Sequence, residues 1–141
     1  MTKEKRTFTP LTSSDVCATY SLLYSQGLVA FPLTLEATNR VEAIVANIST
    51  PHFGHEEYSS IEAKAVAYLY FLINDHPFTD GNKRTAVLCF LTLCKLNELE
   101  PRFEGFTLDQ LAVTLEKINA DYQRVIRLVV ELLFGENRTG V

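Results

Sequence analysis

His76-Pro77-Phe78-Thr79-Asp80-Gly81-Asn82-Lys83-Arg84 joins two long apolar runs. The run before it, Ala63 to Ile73, and the run after it, Val87 to Leu96, carry apolar side chains on nearly every side. Helices without a polar face belong in the centre of a bundle. The spacing therefore predicts an all-α domain. In it, this segment is the turn between two buried central helices, about Ser60 to Asn74 and Asn82 to Asn97. A turn carried on two rigid helices can hold its side chains accurately.

The chain on either side reads as further helices with short connections. Ser13-Ser14-Asp15 is an N-cap cluster and Gly27 a stop signal, bracketing a first helix. Val41, Ile44, Val45 and Ile48 recur at helical spacing over about Leu35 to Ile48. Ser59 and Glu62 form a capping box for the first central helix, and Thr107 and Gln110 one for a later helix. That later helix has an inner stripe of Leu108, Leu111, Ala112, Leu115 and Ile118. A last helix spans about Asp121 to Phe134 and stops at Gly135. The polar ends, about 1–8 and 135–141, read as loose tails on one domain covering 1–141. Thr50 to Tyr58 breaks the helical pattern and fits an extended flap and an ordinary loop equally well.

The chemistry of the nine residues is concentrated. Histidine is the commonest general base, and Pro77 forces His76 out of the helical region. Phe78 reads as an apolar anchor for the turn. Asp80-Gly81 is a turn pair; Asp80 fits both a helix cap and a Mg²⁺ ligand, because Mg²⁺ is held through one or two carboxylates plus phosphates. Gly81 lets the backbone come close to a ligand. Lys83 and Arg84 are cations at a helix start, where they oppose the dipole. A polyanion at that helix end would offset both, and backbone N–H groups there form a natural anion site.

Bulk properties narrow the field. With 47% hydrophobic and 21% charged residues, the 141-residue chain is globular in composition. A formal charge of −4 supplies no basic field for nucleic acid or an acidic membrane. No apolar leader and no membrane span is seen, so the expected location is cytoplasmic. The three cysteines, Cys17, Cys89 and Cys94, read as reduced core residues. Tyr20, Tyr24, Tyr68 and Tyr70 read as packing residues rather than a base-stacking platform. His52, His55, Glu56 and Glu57 lack a further ligand at fixed spacing and read as a solvated loop.

The string HPFTDGNKRT resembles the signature of the Fic/Doc family, HxFx(D/E)(G/A)N(G/K)R, at every defined position. The resemblance extends over roughly Leu33 to Phe106. It implies a Fic/Doc helical bundle with a small flap before the central helix. It implies a nucleotide-dependent transferase that modifies a hydroxyl of a target protein, with ATP and Mg²⁺. Position by position, His76 is then the catalytic base and Asp80 the Mg²⁺ ligand. Gly81, Asn82, Lys83 and Arg84 bind the nucleotide, and Phe78 anchors the loop. Phe53, Gly54 and His55 lie in the flap that holds the target segment as an added strand.

Two departures from the adenylylating pattern are visible. Lys83 stands where a glycine is common, and Val87 where a second arginine is common. Both resemble the Doc-like, death-on-curing branch. That branch implies phosphoryl transfer from ATP to a target such as a translation factor, in a toxin–antitoxin setting. Adenylyl transfer (AMPylation) and a catalytically silent partner-binding module are the alternatives. Self-inhibited members of the family carry an (S/T)xxxE(G/N) motif. Here Glu104-Gly105 is preceded by Glu100 at the first motif position, and Glu136-Asn137 by Leu132. Inhibition is therefore expected from a separate antitoxin chain.

Overall fold

The computed structural model describes residues 6–50 and 58–135. Six helices follow one another: α1 Ser13–Ser25, α2 Leu35–Ser49, α3 Ile61–Asn74, α4 Asn82–Leu96, α5 Leu108–Lys117 and α6 Tyr122–Phe134. There is no strand among the described residues, and the fold is all-α. The flap residues Phe53, Gly54 and His55, and the His52–Glu57 loop, lie outside the described residues.

α3 is the hub. It packs against α2, α4, α5 and α6. Ala65, Val66, Ala67, Tyr68 and Leu69 are fully buried on successive turns and sides, so no face is left for solvent. The composition of α3 demanded this, because burying its apolar surface is the main stabilising term available. α4 differs from the expectation. It packs on α1, α3 and α5 through Ala86, Cys89, Phe90 and Leu93, but Leu88, Leu91 and Leu96 are exposed. α4 thus lies at the edge of the bundle, with an apolar outer face.

Helix starts follow local chemistry. Thr12 caps α1 in a reciprocal box with Asp15, one residue before the expected Ser13 cluster. Ser60, not Ser59, caps α3 by accepting from the Ala63 N–H at 2.9 Å. Adjacent hydroxyl residues are equivalent in sequence, and only the turn geometry chooses between them. The Thr107–Gln110 box on α5 forms as read. Leu111, Ala112 and Leu115 of its stripe are buried, whereas Ile118 is 40% exposed.

Residues 6–12, the described part of the chain before α1, are held down, although 6–8 fall within the expected loose tail. Buried Asn97 accepts from the Thr9 N–H at 2.7 Å and donates to the Thr9 carbonyl at 2.9 Å. The Arg6 guanidinium donates to the Asn97 carbonyl. Phe8 packs against Tyr68, whose hydroxyl donates to the Leu11 carbonyl at 2.8 Å. No helix among the described residues is long and apolar enough to cross a membrane.

The core carries weak acids held neutral. Burial pushes the Cys89 and Cys94 thiols from 9.0 up to about 12, and the Tyr68 phenol from 10.0 up to about 12. Burial raises Cys17 as well. All three thiols are unpaired and inert as nucleophiles. The folded state therefore binds more protons than the unfolded state at alkaline pH. This stabilisation is complete below pH 9 and is lost as pH rises toward 12. The urea midpoint is expected to fall steadily from pH 9 to pH 11 with the m-value unchanged. A midpoint that held constant over that range would contradict these buried acids.

Candidate active site

α3 stops at Asn74 because Pro77 lies just beyond it. Pro77 disfavours the helical region for the residue before it. His76 takes φ +46°, a left-handed conformation that costs a non-glycine residue about 1–2 kcal/mol. Its side chain is exposed and makes no hydrogen bond with the described residues. Burial raises the neighbouring Asp75 carboxyl, and His76 beside it pulls the shift back.

Past His76 the chain turns inward. Phe78 is 4% exposed and stacks on Tyr20 of α1, ring centroids 4.0 Å apart and planes 11° apart. The Tyr20 hydroxyl donates to the Phe31 carbonyl at 2.7 Å, and burial keeps the phenol protonated by raising its pKa. The Asn82 side chain then closes the loop. It accepts from the Phe78 N–H at 2.9 Å and donates to the Phe78 carbonyl at 2.8 Å. The side chain of Asn82, a residue expected to bind the nucleotide, thus holds the turn, with one Nδ2–H not used in these bonds.

The loop between α1 and α2 grips the other half of the segment. The Ala30 N–H donates to Asp80 Oδ2 at 3.0 Å, and the Arg84 guanidinium donates to the Leu28 carbonyl. Asp80 does not cap α4, because Gly81 is the N-cap residue and offers no side chain. Gly81 has φ +81°, and a Cβ there would stand 2.3 Å from Val29 Cγ1. The space a side chain here would fill is taken by Val29, a packing reason for glycine beside the expected close approach of a ligand, and Gly81 also lines the cavity at the start of α4. Lys83 extends to α5, where its Nζ lies 3.0 and 3.1 Å from the two carboxylate oxygens of Glu116.

These contacts leave α4 with an open start. The other five helices each have a side-chain cap, and α4 has none. Its first backbone bond is Thr85 N–H to the Gly81 carbonyl at 2.9 Å. The N–H groups of Asn82, Lys83 and Arg84 make no hydrogen bond with the described residues. They sit at the positive end of the helix dipole. A cavity of about 270 Å³ lined by Asp80, Gly81, Asn82, Lys83 and Arg84 opens there. On the far side of the turn, Pro77, Phe78 and Thr79 line a separate cavity of about 420 Å³ with Tyr20, Phe31 and Arg40.

The charged groups suit a phosphate ligand with a divalent ion. Asp80 lines the cavity, and its Oδ1 makes no hydrogen bond with the described residues. No group of three or more His, Cys, Asp or Glu able to hold a metal occurs among the described residues. A Mg²⁺ ion fits this arrangement, because it takes one carboxylate and fills its other positions with water and phosphate oxygens. Of the residues that build this site, sequence reading missed Leu28, Val29, Ala30 and Glu116. Three of them act through backbone or shape, which no motif records. A carboxylate for Lys83 was foreseeable, but nothing chose Glu116 among the 17 acidic residues.

The Gly81–Val29 contact can be tested by stability. Gly81→Ala should cost about 1–3 kcal/mol, from the left-handed φ and the clash together. Val29→Ala removes the clash, so Gly81→Ala should cost less in that background, leaving mainly the backbone part. Equal costs in both backgrounds, measured by urea unfolding, would show that Val29 does not confine Gly81.

A family model described as the Fic/DOC family matches residues 10–94, more than half of the 141-residue chain. No curated protein and no solved structure matches the chain. The matched region runs from the segment before α1 to the last turns of α4, so it holds the whole turn, the α1–α2 loop that grips it and the open start of α4. The chain belongs to the Fic/Doc family, generally a family of nucleotide-dependent transferases.

Proposed function

We propose that this chain transfers the γ-phosphoryl group of ATP to a hydroxyl side chain of a target protein, as a member of the Doc-like branch. The observation that carries the reading is the uncapped N-terminus of α4, whose first N–H groups have no hydrogen-bond partner among the described residues, in the same turn as the exposed His76 six positions earlier. Backbone donors at a helix start bind phosphate oxygens without moving. His76 accepts the proton of the attacking hydroxyl. The hydroxyl oxygen bonds to the γ-phosphorus as its bond to the β–γ bridging oxygen breaks, and ADP leaves. Asp80 would hold the Mg²⁺, and Arg84, which lines the same cavity, would offer the phosphates the donors not used on Leu28. Mg²⁺, when bound, neutralises phosphate charge.

The choice of phosphoryl over adenylyl transfer rests on Lys83 and Val87. Adenylyl transfer sets the α-phosphate at the histidine and the β- and γ-phosphates deeper against α4. Lys83 occupies the place of a glycine and is paired with Glu116, and Val87 packs against the core and brings no charge. Missing one charge-assisted phosphate contact costs about 1.5–3 kcal/mol. The nucleotide then binds in the reverse sense. The setting we propose is toxin–antitoxin, with a translation factor as the kind of target and a separate antitoxin chain as inhibitor. Flap residues Phe53, Gly54 and His55 hold the target segment.

ATP labelled at the α- or the γ-phosphate, incubated with the chain and a cell lysate, tests the reaction. Label on a protein is expected from γ-labelled ATP alone. Label from α-labelled ATP alone would make adenylyl transfer the activity, and no label from either would favour a silent binding module. His76→Ala should lower transfer by roughly 10²–10⁴. Its stability should change by less than about 0.5 kcal/mol, because no hydrogen bond is lost. Full transfer by the folded variant would remove His76 from the mechanism.

A further inference from the structure

We propose that Glu116 sets how tightly the α4 cavity holds a nucleotide's phosphates, by competing with them for Lys83. This rests on the cavity being the nucleotide site. Lys83 lines that cavity, yet its ammonium lies 3.0 and 3.1 Å from both oxygens of one carboxylate. A cation paired in this way presents little net charge to a phosphate beyond it. The nucleotide must share the ammonium with Glu116 or displace it.

The pair is built on two firm supports. α5 is fixed by its capping box and by buried Leu111, Ala112 and Leu115, and it packs against α4. Both side chains are partly shielded, Lys83 40% and Glu116 31% exposed, so the attraction is only partly screened by water. Glu116 also lies beyond the matched region 10–94. The family signature supplies Lys83, and a helix outside that region supplies its counter-charge. Glu116 therefore tunes a shared site without altering any signature residue.

A purely structural role for Glu116 makes a different prediction. A carboxylate near the start of α4 relieves the unfavourable placement of Lys83 against the dipole. Loss of that role alone lowers stability and does not tighten nucleotide binding.

Calorimetric titration of the full chain with MgATP separates the two. Glu116→Gln keeps the shape of the side chain and should bind MgATP about 3–10-fold tighter than the natural chain. Lys83→Met should bind more weakly, and adding Glu116→Gln to it should change affinity less than about 2-fold. Thermal melts of each variant verify the fold. Unchanged or weaker binding by Glu116→Gln, while the natural chain binds MgATP, would overturn the role of Glu116 alone. Tightening that persists in the Lys83→Met background would also overturn it, because the effect would then be general repulsion. No MgATP binding by any variant would overturn the nucleotide site itself and this inference with it.

Discussion

Gly81 has no side chain, and Val29 occupies the space one would need. A Cβ at Gly81 would lie 2.3 Å from Val29 Cγ1, and the residue's φ of +81° suits glycine. This close approach brings the α1–α2 loop against the start of α4. Once the loop is there, Ala30 can reach Asp80 and Leu28 can reach Arg84. Tyr20 completes the assembly by stacking on Phe78 and donating to Phe31. Contacts from α1 and from the α1–α2 loop thus converge on one turn.

The charge distribution around α4 follows from that assembly. Cations in the first turn of a helix oppose its dipole, by about 0.3–1 kcal/mol each when exposed. Glu116 offsets Lys83, and the Leu28 carbonyl engages Arg84. The two cations are therefore tolerated by the protein itself, and their mere presence argues less for a ligand than the sequence suggested. The stronger argument is the row of backbone N–H groups from Asn82 to Arg84. Their orientation is fixed by packing, and the fold supplies no cap for them among the described residues. Five helices are capped and α4 is left open within the family signature, which is what supports the proposed site.

Much of this was legible in the sequence, and the reasons are physical. Helix type and number follow from apolar spacing and capping residues, which act over three or four positions. Cap positions slipped by one residue at Thr12 and Ser60, where neighbouring hydroxyls compete. The burial of α4 was misread because its apolar composition does not say which face meets the bundle; Leu88, Leu91 and Leu96 are exposed. The turn itself was visible as a motif. Its supports were not, because the Ala30–Asp80 and Leu28–Arg84 contacts join residues 50 and 56 positions apart through backbone atoms. Glu116 reaches Lys83 across 33 positions, a link that only the packing of α5 on α4 creates.

The central claim is that the open start of α4 is an anion site for a nucleotide's phosphates. Amide NMR of the ¹⁵N-labelled chain during titration with MgATP tests it most directly. The Asn82, Lys83 and Arg84 amide signals should shift furthest and saturate together, with Ala30 following through Asp80. Saturating shifts confined to other parts of the bundle, with these three amides unmoved, would contradict it.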